Sequence, residues 1–458
     1  MQAIVLAGGA GTRLRPLTYT CPKPMVPVAN RPALYHIVTA AARAGFSEVI
    51  VTTNYMAEVV RAYCATTLFE IPVRCVNEDR PMGTAGAVKN VEGEITGSFA
   101  VIQGDSFSEI DLAEFVAAHK RTGGIGTIAV MPVENPSEFG IVELDAEKRI
   151  VRFLEKPKPQ ECFSNLANTG FYIFERNVLQ HIPADTPFDF SFELFPKLLQ
   201  AGEQMYAWET QAYWVDLGRV GNYLAGNARF LSRQGGVSVA PDASVSADAV
   251  LHPPVLIGGA ATVEAGCKIG PFCAIGNGAR LGTGSRVERS ILGERAIAAG
   301  HANLQECVIA EETQVGWSVS MGRLAIVGRG CTVGDRVKIL EGSRVGPYVR
   351  VEQDSVVEGV ISPNVQRIEL SQALLTRNPA FAGLGQEELA ICSILSEVGE
   401  VPAKILAGTA KVPFSRIHSL LFGLTQRGLV TGRGEAPKLF SLRYEDPGRI
   451  AQWAAQPR

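Results

Sequence analysis

The sequence predicts an α/β domain of Rossmann-like type, with a mixed, mostly parallel sheet, joined to a parallel β-helix and then to a small helical segment ending in a β-hairpin. Three observations carry this reading. Short apolar runs alternate with helical patterns over the first 230 residues, an aliphatic residue recurs at every sixth position from Val239 to Val357, and the texture changes again near Leu370. A chain of 458 residues is also the length of roughly three domains of about 150 residues each.

In the first region, Ile4–Ala7, Val49–Thr52, Phe99–Ile102 and Thr127–Val130 read as buried strands, and Ala33–Ala44, Ala57–Ala65 and Leu112–Arg121 read as helices. Strands alternating with helices imply βαβ units and a sheet covered on both faces. The polar stretch Ser232-Arg233-Gln234-Gly235-Gly236 closes this domain, giving boundaries of 1–232, 237–365 and 370–458.

The repeat runs from Val239 to Val287 and, after a slip of four residues, from Ile291 to Val357, with Asn303 the one polar exception among 21 positions. A period of six is too short for ankyrin or leucine-rich repeats and fits a β-helix in which each hexad forms one side. Three sides make an 18-residue turn, so the repeat supplies about seven turns. It resembles the left-handed hexapeptide-repeat family. Small residues follow four places after most of the aliphatic ones, among them Cys267, Cys273, Cys307 and Cys331, which read as packing. His301 stands where that slot is otherwise mostly small. Many hexapeptide-repeat proteins are acyltransferases with a histidine between turns, but a local bulge near the slip explains His301 more simply.

From Leu370 onward, 386–398 and 402–410 read as helices, with Pro402 starting the second. Pro413 starts a third over 414–428, and Leu429-Val430 and Leu439–Leu442 form a hairpin around Gly432, Gly434 and Pro437. Three helices and a wing resemble a winged helix-turn-helix. Ser415, Arg416, His418 and Arg433 would then face DNA, but ten Lys/Arg against seven Asp/Glu after Leu370 is a small excess for phosphate-dominated binding. A structural or regulatory interaction, as a protein-docking or dimer module, is the favoured reading of this segment.

The net charge of −3 argues against a chain built to coat nucleic acid or an anionic membrane, and no apolar run is long enough to span a bilayer. Nine cysteines without a C-x-x-C pair exclude a disulfide scaffold, and with the absence of a signal-peptide pattern they point to reduced thiols in the cytoplasm.

The chemistry concentrates after the first strand, in Gly8-Gly9-Ala10-Gly11-Thr12-Arg13-Leu14. Glycines let backbone N–H groups approach phosphate. Leu14 stands where a dinucleotide fingerprint needs its third glycine, and the Gly-Lys-Ser/Thr of a P-loop is missing. Lys23 follows, held between Pro22 and Pro24, and a fixed Arg and Lys beside such a loop suit a triphosphate. Taken singly, each of these residues is more often a turn, a cap or a solvated side chain.

GGAGTRLRPLT…PKPMVPVANRP is similar to the signature of the sugar-1-phosphate nucleotidylyltransferases. Further blocks follow in the same order: PMGTAGAV at 81–88, IQGD at 102–105, EKP at 155–157, NTGFYIF at 168–174 and YWVDLG at 213–218. The EDRPMGTAGAV stretch and the attached hexads look most like mannose-1-phosphate guanylyltransferases, while glucose-1-phosphate enzymes using UTP or dTTP share nearly all the motifs. The resemblance implies an enzyme that transfers a nucleotidyl group from an NTP to a sugar-1-phosphate. It implies catalytic roles for Arg13, Lys23 and Lys156, and a nucleotide pocket of Leu6, Gly8, Gly9, Gly11, Thr12, Gly83, Thr84 and Gly86. Gly104, Glu155, Asn168 and Gly170 would hold the sugar, and Asp105 with Asp216 would hold Mg²⁺. Two carboxylates plus phosphate oxygens and water are a shell that this ion accepts. The β-helix offers surfaces for a homo-oligomer. A sensor or regulatory protein that keeps a non-catalytic nucleotide-sugar domain is the rival of another class.

Overall fold

The computed structural model describes residues 1–361, 383–398, 401–410, 412–433 and 439–442. The predicted Gly434–Pro437 turn and the expected domain junction at 365–370 lie outside the described residues. The chain divides into two compact units. One comprises 1–10, 22–25 and 32–216; the other comprises 11–21, 26–31 and everything from Leu217 onward.

The first unit is built on a nine-stranded mixed sheet. Its strands are β1 (Gln2–Leu6), β2 (Glu48–Thr53), β3 (Val73–Asn77) and β4 (Phe99–Gln103), then β6 (Gly126–Pro132), β7 (Gly140–Leu144), β8 (Ile150–Glu155), β9 (Leu166–Phe174) and β10 (Met205–Glu209). A separate short ribbon pairs β5 (Ser106–Ser108) with β11 (Trp214–Asp216). The order is β8-β7-β9-β4-β1-β2-β3, with β6 paired to β9 and β10 to β6. Strands β4, β1, β2 and β3 are parallel, whereas β9 runs antiparallel to β4 and β6. Ala3, Ile4 and Val5 of β1 and Val49 to Val51 of β2 are fully buried, as expected for strands covered on both faces. The expected helices occur as α1 (Ala33–Arg43), α2 (Ala57–Thr66) and α4 (Leu112–Thr122), along with α3 (Gly83–Asn90) and α5 (Phe195–Gln200). The start of α4 is set by Asp111, whose carboxylate accepts from the N–H groups of Ala113 and Glu114.

In the second unit, helix α6 (Val220–Gln234) ends on Gly235 and Gly236, both at positive φ, and the β-helix starts at Val237. Tyr223 of α6 donates its hydroxyl to Pro27 O (2.7 Å), Asn227 accepts from Ala29 N (2.8 Å), and Asn30 donates to Ile275 O (2.7 Å) of the β-helix. The β-helix consists of three parallel sheets of eight, seven and seven strands, consistent with the left-handed hexapeptide form. Its interior is one continuous column of aliphatic and small residues. All four repeat cysteines lie in that column, fully or almost fully buried, as expected.

The register corrects the sequence reading at one place. Stacked partners are 18 residues apart at Ile257↔Ile275, but 17 apart at Ile275↔Leu292 and Leu292↔Ile309. The inward series is therefore Val287, Leu292, Ala298, Leu304, Ile309, with two single-residue losses in place of one slip of four. Leu304 is buried and Asn303 exposed, so the polar exception disappears. The small slot belongs to Ala302. His301 occupies an outward corner at φ 57°, its ring tilted against that of Trp317 with centroids 5.8 Å apart. The aliphatic side chains of Ile291 and Ile297, one position early, disguised the shift. Both readings rejoin at Ile309.

The C-terminal portion holds α7 (Gln386–Val398), α8 (Ala403–Ala410) and α9 (Phe414–Gln426), with a three-stranded sheet in which 439–442 lies between 401–402 and 430–433. Pro402 belongs to the sheet and α8 begins one residue later. Ser415, Arg416 and His418 are exposed on α9, and Arg416 is paired with Glu387 of α7 (2.8 Å). The side chain of Arg433 lies outside the described residues.

The register has a direct test. Leu304→Ala is expected to lower the unfolding free energy by roughly 2–4 kcal/mol, as buried leucine truncation does. Asn303→Ala is expected to stay within about 0.5 kcal/mol of wild type. Urea denaturation of the two variants separates the registers, because the uncorrected one predicts the reverse ranking.

Candidate active site

Lys23 is the centre of the polar cluster in the first unit. It lies in a tight turn over Lys23–Met25, closed by Met25 N donating to Pro22 O (2.7 Å), and the residue is only 4% exposed. Its ammonium donates to Asp105 Oδ2 (2.6 Å) and Asp216 Oδ1 (2.5 Å). Asp105 follows β4, and Asp216 ends β11, where it pairs with Ser106 in the ribbon. The sequence reading put these two carboxylates together, and they do converge on one cation. It did not anticipate that this cation is the ammonium of Lys23, which it had directed toward phosphate. A pair of carboxylates aimed at one point, partly exposed, is a donor set that a hard divalent ion can share with water and phosphate. Among the described residues no group of three or more His, Cys, Asp or Glu forms a closed metal cage.

Gly104 allows this convergence. Its N–H donates to Leu6 O (2.9 Å), and a Cβ there would stand 2.6 Å from that same oxygen. Only glycine lets the end of β4 lie this close to the end of β1.

Beyond β1, Gly9 is exposed, and a side chain at that position would meet open space. Gly8 lies against Glu78 Oε1, 3.3 Å from its would-be Cβ. The other carboxylate oxygen of Glu78 accepts from Met82 N (3.1 Å) ahead of α3. Glu78 is 5% exposed, and burial pushes its carboxyl up to about 7. The sequence reading missed this residue, although it opens the EDRPMGTAGAV block. The available signal was an acidic residue directly after a strand, at the carboxyl edge where ligands of open α/β sheets bind.

Gly83, Thr84 and Gly86 lie in the first turn of α3 and are engaged with 186–190. Gly83, at φ 72°, approaches Phe188 O, and Gly86 approaches Thr186 O. Thr84 Oγ1 donates to Asp189 Oδ1 (2.7 Å) and accepts from Phe190 N (3.0 Å).

The sugar-site candidates gather around β8 and β9. Glu155 ends β8 opposite Gly140, where any side chain would collide with its carboxylate. Lys156 has φ 44°, and its N–H donates to Phe139 O (3.0 Å). The Phe139 ring meets Trp214 edge-on at 5.6 Å, two residues before Asp216. Asn168 donates to Tyr172 Oη (2.9 Å) and accepts from Gly170 N (2.9 Å), bridging an irregularity in the β9 ladder. Gly170, at φ 80°, passes over Gln103 at the end of β4. Gly11, Thr12 and Arg13 belong to the second unit, where Gly11 (φ 59°) starts a tight helical turn over Thr12–Leu14. Thr18 Oγ1 donates to Gly11 O (2.7 Å) across that turn.

A mixed sheet with a glycine loop after β1 and paired carboxylates at the carboxyl edge defines a nucleotide-handling α/β enzyme. The nucleotidyl transferase family signature matches residues 2–233, and the GMPPB C-terminal domain matches residues 251–361. A mannose-1-phosphate guanyltransferase of Neurospora crassa is 33% identical, over 79% of this chain and all of its own length. The mannose-1-phosphate guanylyltransferase catalytic subunit beta of Danio rerio is 35% identical, over 78% of this chain and 99% of its own. A UTP–glucose-1-phosphate uridylyltransferase of Synechocystis is 32% identical, over 59% of this chain and 76% of its own. The chain belongs to the nucleotidyl transferase family and is a sugar-1-phosphate nucleotidyltransferase. Enzymes of this family generally use a divalent metal. No helix among the described residues is long and apolar enough to cross a membrane.

The raised carboxyl of Glu78 has a thermodynamic consequence. Its folded value, about 7, lies above the ordinary 4.5, so its contribution to stability is full below pH 4.5 and is lost as pH rises through 7. Between pH 5 and pH 8 the wild type is expected to lose roughly 1–3 kcal/mol more unfolding free energy than Glu78→Gln. Parallel denaturant titrations at the two pH values measure the difference, and equal losses would place Glu78 in a solvated environment.

Proposed function

We propose that this enzyme makes GDP-mannose from GTP and mannose-1-phosphate, using Mg²⁺. The convergence of Asp105 and Asp216 on the Lys23 ammonium carries the reaction chemistry. An oxygen of the sugar phosphate attacks the α-phosphorus. The new P–O bond forms as the bond to the β-phosphate oxygen breaks, and pyrophosphate leaves. Negative charge gathers throughout, so positioned cations and fixed dipoles are the main catalytic means. Mg²⁺ held by Asp105 and Asp216 would screen phosphate charge. Lys23, anchored at the same carboxylates, keeps a positive charge beside the reacting phosphates. Arg13 screens the triphosphate, Lys156 receives the sugar phosphate, and Glu155 and Asn168 take sugar hydroxyls. Leu6, Gly8 and Gly9 lie against base and ribose.

Two observations support guanine and mannose. The relatives that match over their whole lengths are named for mannose-1-phosphate and guanylyl transfer. The buried Glu78 carboxylate beside Gly8 matches the guanine edge, where N1–H and the N2 amino group are adjacent donors. Uracil offers one such donor between two acceptors. Glucose-1-phosphate with UTP is the second reading, favoured by the Synechocystis relative.

Pyrophosphate release from mannose- or glucose-1-phosphate, with GTP, UTP, dTTP, ATP and CTP, tests both readings. The expected result is one strong pair, mannose-1-phosphate with GTP. A strong glucose pair would transfer the assignment, and silence across the grid from folded protein would favour a nucleotide-sugar sensor. Asp105→Asn or Asp216→Asn is expected to cut turnover by roughly 10²-fold or more. Glu78→Gln is expected to lower kcat/KM for GTP about tenfold relative to UTP, the scale of one misplaced hydrogen-bond partner.

A further inference from the structure

Helix α7 of the C-terminal portion packs against the Thr12–Leu14 turn, both within the second unit. The sequence carries no sign of this contact, because more than 370 residues separate the two segments. Five successive residues of α7, Ile391 to Leu395, are buried. Five residues sweep through more than one full turn, so the helix is covered on every side there. Leu389, Ile391, Cys392, Ile394 and Leu395 join a core shared with α8, α9 and the small sheet. At 100° per residue these five centre on one side of the helix, and Ala390 and Ser393 project from the other. Ser393 is nevertheless wholly inaccessible to solvent. The turn over Thr12–Leu14 is the element from outside its own core that α7 meets most extensively. Leu14 of that turn is fully buried as well, whereas Arg13 beside it stays partly exposed.

The loop opens at a glycine in the left-handed region, Thr18 Oγ1 ties back to Gly11 O, and residues 14 to 18 are buried, so whatever packs on the Thr12–Leu14 turn bears on where the neighbouring Arg13 lies. We propose that α7 is the buttress of this loop, packed against it through the face that carries Ala390 and Ser393, so that the C-terminal portion sets the geometry in which Arg13 meets the triphosphate. Ordering the loop in advance removes an entropic cost from nucleotide binding. The coupling is reciprocal: nucleotide bound at the loop strengthens the docking of α7 to the same degree. The portion that resembles a DNA-binding module thereby acts on nucleotide affinity, and a partner that captures α7 would weaken substrate binding. This inference rests on the assignment of Arg13 to the triphosphate.

The full-length chain tests it. Ser393→Arg places a long charged side chain in the contact, Ala390→Glu does so at a half-exposed position less central to folding, and Ser393→Ala serves as the conservative control. The first two are expected to raise KM for the NTP by at least about fivefold, with kcat within about twofold of wild type and Ser393→Ala unchanged. Hydrogen exchange is expected to accelerate at 11–15 in both variants. In the wild type, NTP with Mg²⁺ is expected to slow exchange at 386–398. An unchanged KM with faster exchange at 11–15 overturns the positioning role, and lower KM or higher kcat shows that α7 restrains the enzyme. An NTP that leaves 386–398 unaffected also overturns the proposal. Failure of the function reading is separate: it appears as wild-type silence in the pyrophosphate assay, whatever the exchange pattern.

Discussion

The Lys23 ammonium is held between Asp105 and Asp216, and three segments far apart in the chain must arrive together for that to happen. A nearly buried ammonium without a carboxylate is strongly unfavourable, and the Coulomb gain offsets its desolvation only with close geometry. The requirement reaches well beyond the three side chains. Gly104 has to lie against Leu6, the short ribbon has to pair Asp216 with Ser106, and the Pro-flanked turn has to point the lysine inward. The surrounding sheet can be read as the frame that makes this one triangular arrangement affordable. Because the same carboxylates suit a metal, the balance of charge at the reacting phosphates and the integrity of the sheet edge depend on the same atoms.

Glu78 illustrates a different balance. Its carboxyl is raised by burial, while the Met82 N–H draws it back only in part. A group held in that state costs stability near neutral pH, and a ligand that donates hydrogen bonds to it offsets the cost. Adjacent donors on a purine edge would do so.

How much of this was legible depends on the range of the interactions involved. Four strands and three helices of the first unit follow local periodicity and were readable to within a residue or two, whereas β3, β7, β8, β9, β10, α3 and α5 were not located from the pattern. The hexad repeat was equally plain, but its register between Val287 and Ile309 was not. Ile291 and Ile297 are as apolar as the true inward residues Leu292 and Ala298, and only strand pairing distinguishes them. The site blocks were legible as an ordered set of motifs, including the two carboxylates. The Lys23 bridge was not, because it is a tertiary contact between segments 82 and 193 residues apart. Glu78 stood within a quoted motif and was overlooked because its significance comes from burial. The seat of α7 on the Thr12–Leu14 turn is longer-range still, and no periodic signal encodes it.

The two shortened turns of the β-helix have a wider meaning. Each loses a single residue, and the aliphatic column continues in phase on both sides. The missing residue comes from a corner, where the backbone bends and side chains face outward. The same loss within a strand would turn every following side chain inside out. Genetic insertions and deletions in this rod are thus filtered by where they fall along the perimeter. Its corners are the places where length can drift by single codons, and its flat sides can change only by whole hexads.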